Sequence, residues 1–460
     1  MHPRNAQLAA MSALEARDEI ARGSITAAEL TAACLEQIAA SEPEVQAWAY
    51  IDPDHAMRQA AELDRKRSTG RPIGPLHGVP IGVKDIIDTR DMPTENGTTL
   101  DAGRRPAADA TAVSKLREAG AVILGKTVTT ELAVYTPGKT RNPHDAKRTP
   151  GGSSSGSAAA VAAGMIPLAL GSQTNGSVIR PASFCGVVGY KPSRGLVSRH
   201  GVLAQSPALD TIGAFARTIE DAALLADVIA GYDDRDPGSL IAGRPDLLAL
   251  TRSAPPLKPV LAFVRSSVWD RAGEDVRAGF EEIWQALGNA VQEIELPDIF
   301  ARVHDWHRTV NMAELARNYA RYFDKDSSAL SDRLRGLYEE GLTVRAVDYI
   351  GALDAMAMLN GGLERIFVRF DAILTPAAPG EAPLGLESTG DPVFNSIWTF
   401  CGVPALSLPL LAGSNGMPIG IQLVGRHLYD GRLLRTARWL QDTILNSDAE
   451  SKSAARGASA

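Results

Sequence analysis

The chain reads as an α/β protein built on a large mixed, mostly parallel β-sheet covered by helices on both faces. Three observations predict this class. The runs Gly78-Val79-Pro80-Ile81-Gly82-Val83-Lys84 and Ala121-Val122-Ile123-Leu124-Gly125-Lys126 have the short apolar form of buried strands, and a helical stretch from about Thr111 to Ala119 precedes the second. Apolar residues make up 45% of the 460 positions and are evenly spread, which is enough for one large core. Near the end, Leu406 to Leu411 and Ile419 to Val424 flank Gly413-Ser414-Asn415-Gly416, a hairpin with its turn residues in place.

Taken in order, the first forty residues predict a helical layer: Leu8 to Arg22 and Thr26 to Ala40 carry apolar residues at helical spacing, and Gly23-Ser24 marks the break. Strands and helices then alternate. From about Asp233 to Pro259 the chain turns polar and proline-containing, as expected of a surface excursion. Residues 274–358 predict helices, and 371–425 return to strands. The expectation is one domain over 1–447, with its catalytic segment at 60–230, a helix-rich excursion at 260–360 and closing strands at 371–425. A tail of small and polar residues at 448–460 is expected to be disordered.

Composition excludes several functions. Cys34, Cys185 and Cys401 each stand alone in apolar surroundings, which fits neither a disulfide framework nor a zinc pattern and points to a reducing, cytoplasmic setting. The N-terminus lacks the apolar core of a signal peptide. The apolar stretch from Ala158 to Leu170 is interrupted by Gly164 and Pro167 and falls short of the ~20 residues that span a bilayer. A net charge of −7 with scattered basic residues offers no stripe for a phosphate backbone, so neither nucleic acid nor membrane is expected as a partner.

The chemistry concentrates between Gly151 and Tyr190. Two serine clusters, around Ser153 and Ser177, lie among Gly151, Gly152, Gly156, Gly171 and Gly176, which permit a backbone that turns N–H groups toward a reacting atom. A phosphate loop is excluded because no lysine follows the glycines. Gly152-Ser153-Ser154-Ser155-Gly156 matches a nucleophile elbow formally, but the polar run Lys147-Arg148-Thr149-Pro150 stands where its strand belongs. None of the eight histidines has a triad context, and His304 and His307, three apart on a helix, read as a solvated face rather than a metal site. A serine without histidine needs another base, and a lysine kept neutral by burial serves. Lys84 and Lys126 both end apolar strands, and the residues alone do not choose between them.

The stretch from Gly151 to Pro192 closely resembles the amidase signature family: a Gly-Gly-Ser-Ser loop, then Gly-Ser-x-x-x-Pro, then Cys-Gly and Lys-Pro. The resemblance extends upstream through His77 to Asp85 and downstream to Leu374-Thr375-Pro376 and Pro418-Ile419-Gly420-Ile421-Gln422, so it covers nearly the whole chain. It implies a Ser-cisSer-Lys triad in which Ser177 is the nucleophile, Ser153 is the relay serine after a cis peptide, and Lys84 is the base. Lys126 is then structural. It further implies an oxyanion hole of backbone N–H groups from Thr174, Asn175, Gly176 and Ser177, an acyl-enzyme, no metal and no cofactor. The implied activity is hydrolysis of a small-molecule carboxamide to a carboxylate and ammonia or an amine. Alternatives within the resemblance are the glutaminase subunit of a tRNA-dependent amidotransferase, a carbamoyl-type hydrolase acting on allophanate- or carboxybiuret-like substrates, and a silent scaffold.

Three positions depart from the family's commonest pattern: Gln173 replaces an acidic residue, Asn175 replaces a glycine, and Arg180 follows Ser177 by three residues rather than two. Asn175 is expected to take a positive φ, which asparagine tolerates. Tyr135, Phe394 and Trp398 are the aromatic candidates for lining the substrate pocket. Homodimerisation, common among relatives, is a further expectation.

Overall fold

The computed structural model describes residues 2–243 and 246–457. Its centre is an eleven-stranded sheet. In chain order the strands are β1 (Trp48–Ile51), β2 (Pro80–Lys84), β3 (Val122–Thr127), β4 (Leu168–Gln173), β5 (Val188–Lys191), β6 (Thr211–Ala216), β7 (Leu261–Val264), β8 (Val291–Ile294), β9 (Ala372–Pro376), β10 (Ala405–Ala412) and β11 (Pro418–Val424). Their spatial order is β1-β3-β2-β4-β6-β5-β10-β11-β9-β7-β8. Four pairings are parallel and six antiparallel, so the sheet is mixed as expected but not mostly parallel. The parallel pairs are β2 with β3 and β4, and β7 with β8 and β9, where helices occupy the connections. The excess of antiparallel pairs comes from the middle, where β4, β6, β5, β10, β11 and β9 run alternately.

Both faces of the sheet are buried along β2, β3, β4, β5, β6, β7 and β9, which explains why these strands are apolar at successive positions rather than at alternate ones, while the edge strands β1 and β8 carry exposed residues. On β3, Ile123 joins one core while Val122 and Leu124 join the other; on β4, Leu168 and Leu170 oppose Ala169 in the same way. The hairpin of β10 and β11 has the predicted pairing, Leu406 with Leu423 and Leu411 with Ile419. The three cysteines are free and buried.

The first predicted helix is two, Pro3–Ala10 and Ala13–Arg22, because Ser12 caps the second in a reciprocal capping box with Glu15. The segment 260–360 holds the expected helices, Glu274–Leu287, Val303–Asp326, Asp332–Thr343 and Ala346–Phe367, but also contributes β7 and β8 to the sheet edge. Within 233–259 the helix Leu247–Arg252 is the regular element. The closing helix, Asp430–Gly457, enters the stretch expected to be a tail, and 458–460 lie outside the described residues.

Candidate active site

Lys84 is the last residue of β2, a strand held on both sides by parallel neighbours, with Val83 opposite Lys126 and Leu170. Its side chain is fully buried, and Nζ donates to Ser153 Oγ at 2.7 Å and to Ser172 Oγ at 2.8 Å. Burial holds its pKa well below the ordinary 10.5, opposed by the charge of Asp210. An amine that loses its proton readily and touches a serine hydroxyl is suited to accept a proton from it.

Ser153 follows a cis peptide bond from Gly152. Gly151 supplies the one positive φ among the loop's glycines, +80°, with the Cα of Pro181 only 2.8 Å from where a Cβ would stand. The other glycines serve close approach. A Cβ on Gly156 would lie 2.2 Å from the Ala47 carbonyl oxygen and 2.4 Å from the Val128 nitrogen, so the helix Ser155–Ala162 packs directly on backbone.

Beyond β4, residues 174–177 form a loop before the helix Ile179–Cys185. Among the described residues the N–H groups of Asn175, Gly176 and Ser177 meet no acceptor. Asn175 does not take the expected positive φ. Its carboxamide is used instead: Oδ1 accepts from Ser396 at 2.8 Å and Nδ2 reaches the Tyr135 hydroxyl at 3.5 Å. Gln173 braces the loop, with Oε1 accepting from the N–H groups of Val178 at 2.8 Å and Ile179 at 3.0 Å. Thr174 is held at both ends, its hydroxyl donating to Asp210 at 2.6 Å and its carbonyl accepting from His307 Nε2 at 2.9 Å. His307 is therefore buried beside the loop and not on a solvated face, because the helix Val303–Asp326 turns that side toward the sheet. Desolvation pulls its pKa down to about 4.

Ser177 is half-buried and lines a narrow cleft with Tyr135, Asn175 and Arg180; its hydroxyl has no partner among the described residues. The cleft shares Tyr135, Asn175 and Asn311 with a polar recess of about 720 Å³, and Ala133, Thr174 and Gln205 with a largely apolar chamber of about 580 Å³. Of the three aromatic candidates only Tyr135 faces this space. Phe394 and Trp398 are buried in separate hydrophobic clusters, since the segment carrying them packs against the sheet and the helical layer. Lys126 is also buried, donating to the Ile87 carbonyl at 2.8 Å and standing 3.6 Å from Asp85; burial lowers its pKa to about 8.

Sequence reasoning missed Ser172, Asp210, the role of His307, Thr389, whose hydroxyl accepts from Arg180 Nη2 at 3.0 Å, and Thr399, whose hydroxyl accepts from Gln173 Nε2 at 2.8 Å. Only His307 gave a signal, as one of two histidines on a helix. The others are small polar residues, or a lone carboxylate, with no motif around them that marks a role.

The sheet, the buried lysine and the serines fit one class, and the comparisons with known proteins define it: a hydrolase acting on C–N bonds. The chain belongs to the Amidase family, whose model matches residues 29–434. It is 35% identical to a glutamyl-tRNA(Gln) amidotransferase subunit from Carboxydothermus hydrogenoformans, covering 93% of this chain and 96% of that protein. The corresponding subunit from Acidothermus cellulolyticus is 36% identical over 94% of each. Among solved structures, one described as a vestigial protein complex revealing the origins of an s-triazine catabolic enzyme superposes with a TM-score of 0.88 at 28% identity, over 94% of this chain and 98% of the other. The native peptide amidase of Stenotrophomonas maltophilia gives 0.81 at 30% identity, over 94% and 96%. Among the described residues no helix is long and apolar enough to cross a membrane.

Proposed function

We propose that the protein hydrolyses a carboxamide through an acyl-enzyme on Ser177, with Ser153 as relay and Lys84 as base. The observation that carries this reading is the 2.7 Å hydrogen bond between a fully buried, readily neutral Lys84 and Ser153, whose peptide bond to Gly152 is cis. Ser177 Oγ attacks the carbonyl carbon while its proton passes to Ser153 and the Ser153 proton to Lys84. The oxyanion is received by the free N–H groups at Asn175, Gly176 and Ser177, with Thr174 as the remaining donor expected there; one such donor is worth about 3 kcal/mol. The C–N bond then breaks, the leaving nitrogen takes the proton back from Lys84 through Ser153, and the Ser177 ester remains. Water attacks that ester by the same relay, releasing the carboxylic acid and restoring Ser177.

A second reading is favoured by the names of the relatives: a glutaminase subunit whose ammonia is passed to a partner. The chemistry at Ser177 is the same, and partner dependence separates the two. The test is intact-mass analysis after a sulfonyl fluoride or fluorophosphonate, followed by peptide mapping. An adduct on Ser177 that disappears in Ser177→Ala supports the mechanism, and an adduct elsewhere sinks it. Ammonia release from glutamine and from simple amides by the isolated chain then separates the stand-alone amidase from the partner-dependent glutaminase.

A further inference from the structure

Two spaces open from the cleft at Ser177, and they differ in chemistry. One is the polar recess beyond Tyr135; the other is the chamber of about 580 Å³, whose largely apolar wall includes Ile86, Val202, Leu203, Ala208, Ile212 and Leu353. The arginines and carboxylates on the chamber wall already have partners within the protein. Arg199 pairs with Asp236 at 2.8 Å and Arg235 with Asp233 at 2.9 Å. Glu314 accepts from Ser206, Tyr349 and the Ala208 N–H, and Asp210 accepts from Thr174 and from the N–H groups of Gln205 and Ser206. The chamber therefore offers a guest apolar surface and, among the described residues, no unpaired guanidinium or carboxylate, at a volume typical of small-molecule sites.

Its place relative to the base decides what that guest is. Ser172, on the chamber wall, accepts from Lys84 Nζ at 2.8 Å, and Ile86, also on the wall, follows Lys84 closely in the chain. The polar recess instead meets the cleft at Tyr135 and Asn175, and its wall includes Asp391 and Ser396. In acyl transfer the leaving nitrogen takes its proton from Lys84 through Ser153, so a substituent on that nitrogen points toward the chamber and the acyl group falls to the recess. Gln205 stands at the neck, lining both cleft and chamber. Its Nε2 donates to Asn311 Oδ1 at 3.0 Å, and its Oε1 is buried with no donor among the described residues. A buried acceptor left unpaired is costly, and a secondary amide crossing the neck carries one N–H to meet it. Arg235 and Pro237 are exposed, so the chamber reaches solvent on their side.

We infer that the substrate is a secondary carboxamide whose nitrogen carries an apolar alkyl or aryl group, seated in the chamber with the amide N–H on Gln205 Oε1. This rests on the reading of Ser177 as the nucleophile. When the C–N bond breaks, the nitrogen gains the proton from Ser153 and departs through the chamber as a primary amine. The Ser177 ester is then left to water.

The test gives the full-length protein N-methyl, N-butyl and N-hexyl butyramide. Their leaving amines are nearly equal in basicity, so a trend reads the chamber and not the leaving group. From methyl to butyl, kcat/KM is expected to rise by about tenfold or more, the effect of added methylenes in an apolar pocket. It should fall back when butyl is exchanged for an aminopropyl chain of the same length, whose charge meets no partner. Ala208→Phe, which narrows the chamber from a position outside the cleft, should bring the butyl-to-methyl ratio toward one. Gln205→Leu should lower kcat/KM for the butyl amide by about tenfold relative to butyl butyrate, an ester with no N–H; a merely structural role would leave that ratio in place. N-phenylnaphthylamine, a neutral aryl amine that fluoresces in apolar surroundings, reads the chamber without turnover and without a variant, and N-hexyl butyramide is expected to displace it. Should Ser177 take the sulfonyl fluoride normally while the wild-type series stays flat, the chamber assignment is wrong and the nucleophile stands. Failure of Ser177 to label would instead overturn the nucleophile, and absence of displacement would then overturn the chamber as well.

Discussion

Gln173 and Thr399 are joined by a hydrogen bond of 2.8 Å from Nε2 to Oγ1, and the Thr399 hydroxyl in turn donates to the Asn175 carbonyl. With Oε1 accepting from Val178 and Ile179, one carboxamide spans the loop from both sides. A glutamate at 173 would keep the acceptor and lose the donor. Thr399 would then have to choose between the carboxylate and Asn175. Gln173→Glu is expected to lower kcat by about tenfold with a smaller change in KM, since the loop's N–H groups matter most in the transition state. Steady-state kinetics on one amide checks this, and an unchanged kcat would show that the brace is dispensable.

Lys84→Met is expected to reduce kcat/KM by on the order of 10³-fold or more while the protein stays folded. Stability should move the other way. The folded-state pKa of Lys84 is depressed below its ordinary 10.5, so its contribution to stability is present above 10.5 and is lost as pH falls toward the folded value. Removing the amine removes that penalty. The variant should therefore melt above the wild type at pH 7, with the gap closing as pH approaches 10.5. A variant less stable at every pH would contradict the account of Lys84 as an amine whose charged form is disfavoured by burial more than its hydroxyl partners and Asp210 favour it.

Much of this site was legible in the sequence, for definite reasons. Ser153 and Ser177 lie in runs of glycine and small polar residues that have no use in an ordinary core, Lys84 was separated from Lys126 by the family resemblance and not by its apolar strand, and the hairpin of β10 and β11 announced itself through its turn. The antiparallel middle of the sheet was not legible, because a strand buried on both faces looks apolar whichever way its neighbours run. Strands β7 and β8 were hidden by their four-residue length among long helices. Asn175 was misjudged because its side chain, not its backbone, is what the loop uses. Phe394 and Trp398 were offered for the pocket because aromatic residues near a site look alike until packing is known. Arg180 was noticed as displaced by one position, but its burial, with Nε and Nη1 meeting no acceptor among the described residues, is a property of three-dimensional surroundings.

Asp210 is half-buried, and desolvation raises its pKa to about 6 against the hydrogen bonds from Thr174, Ser206 and Gln205. Its charge is the influence that favours the protonated form of Lys84. Asp210→Asn removes the charge and keeps the shape. The acid limb of the kcat/KM profile should move to lower pH, because Lys84 then sheds its proton more readily, while the plateau falls by less than about tenfold. A profile that stays in place would mean that the limb belongs to another group.

His307 is the one histidine whose replacement should matter. Its Nε2–H holds the Thr174 carbonyl, and its pKa of about 4 keeps it neutral across the working range, so its part is positional and not acid–base. Because the folded value lies below the ordinary 6.5, the stability tied to this group is complete above 6.5 and is lost as pH falls from 6.5 through about 4. The difference corresponds to about 3 kcal/mol. His307→Gln, which keeps a donor near Thr174, should be less sensitive to acid between those values and should retain most of its kcat. His307→Ala should leave the carbonyl unpaired and lower kcat by about tenfold with little change in KM. His304→Ala serves as the control, since among the described residues no hydrogen bond joins His304 to the loop. Melting curves from pH 7 to pH 4 and kinetics on the three variants decide it: equal losses in His307→Gln and His307→Ala would point to packing alone, and equal acid sensitivity in the wild type and His307→Gln would place the titrating group elsewhere.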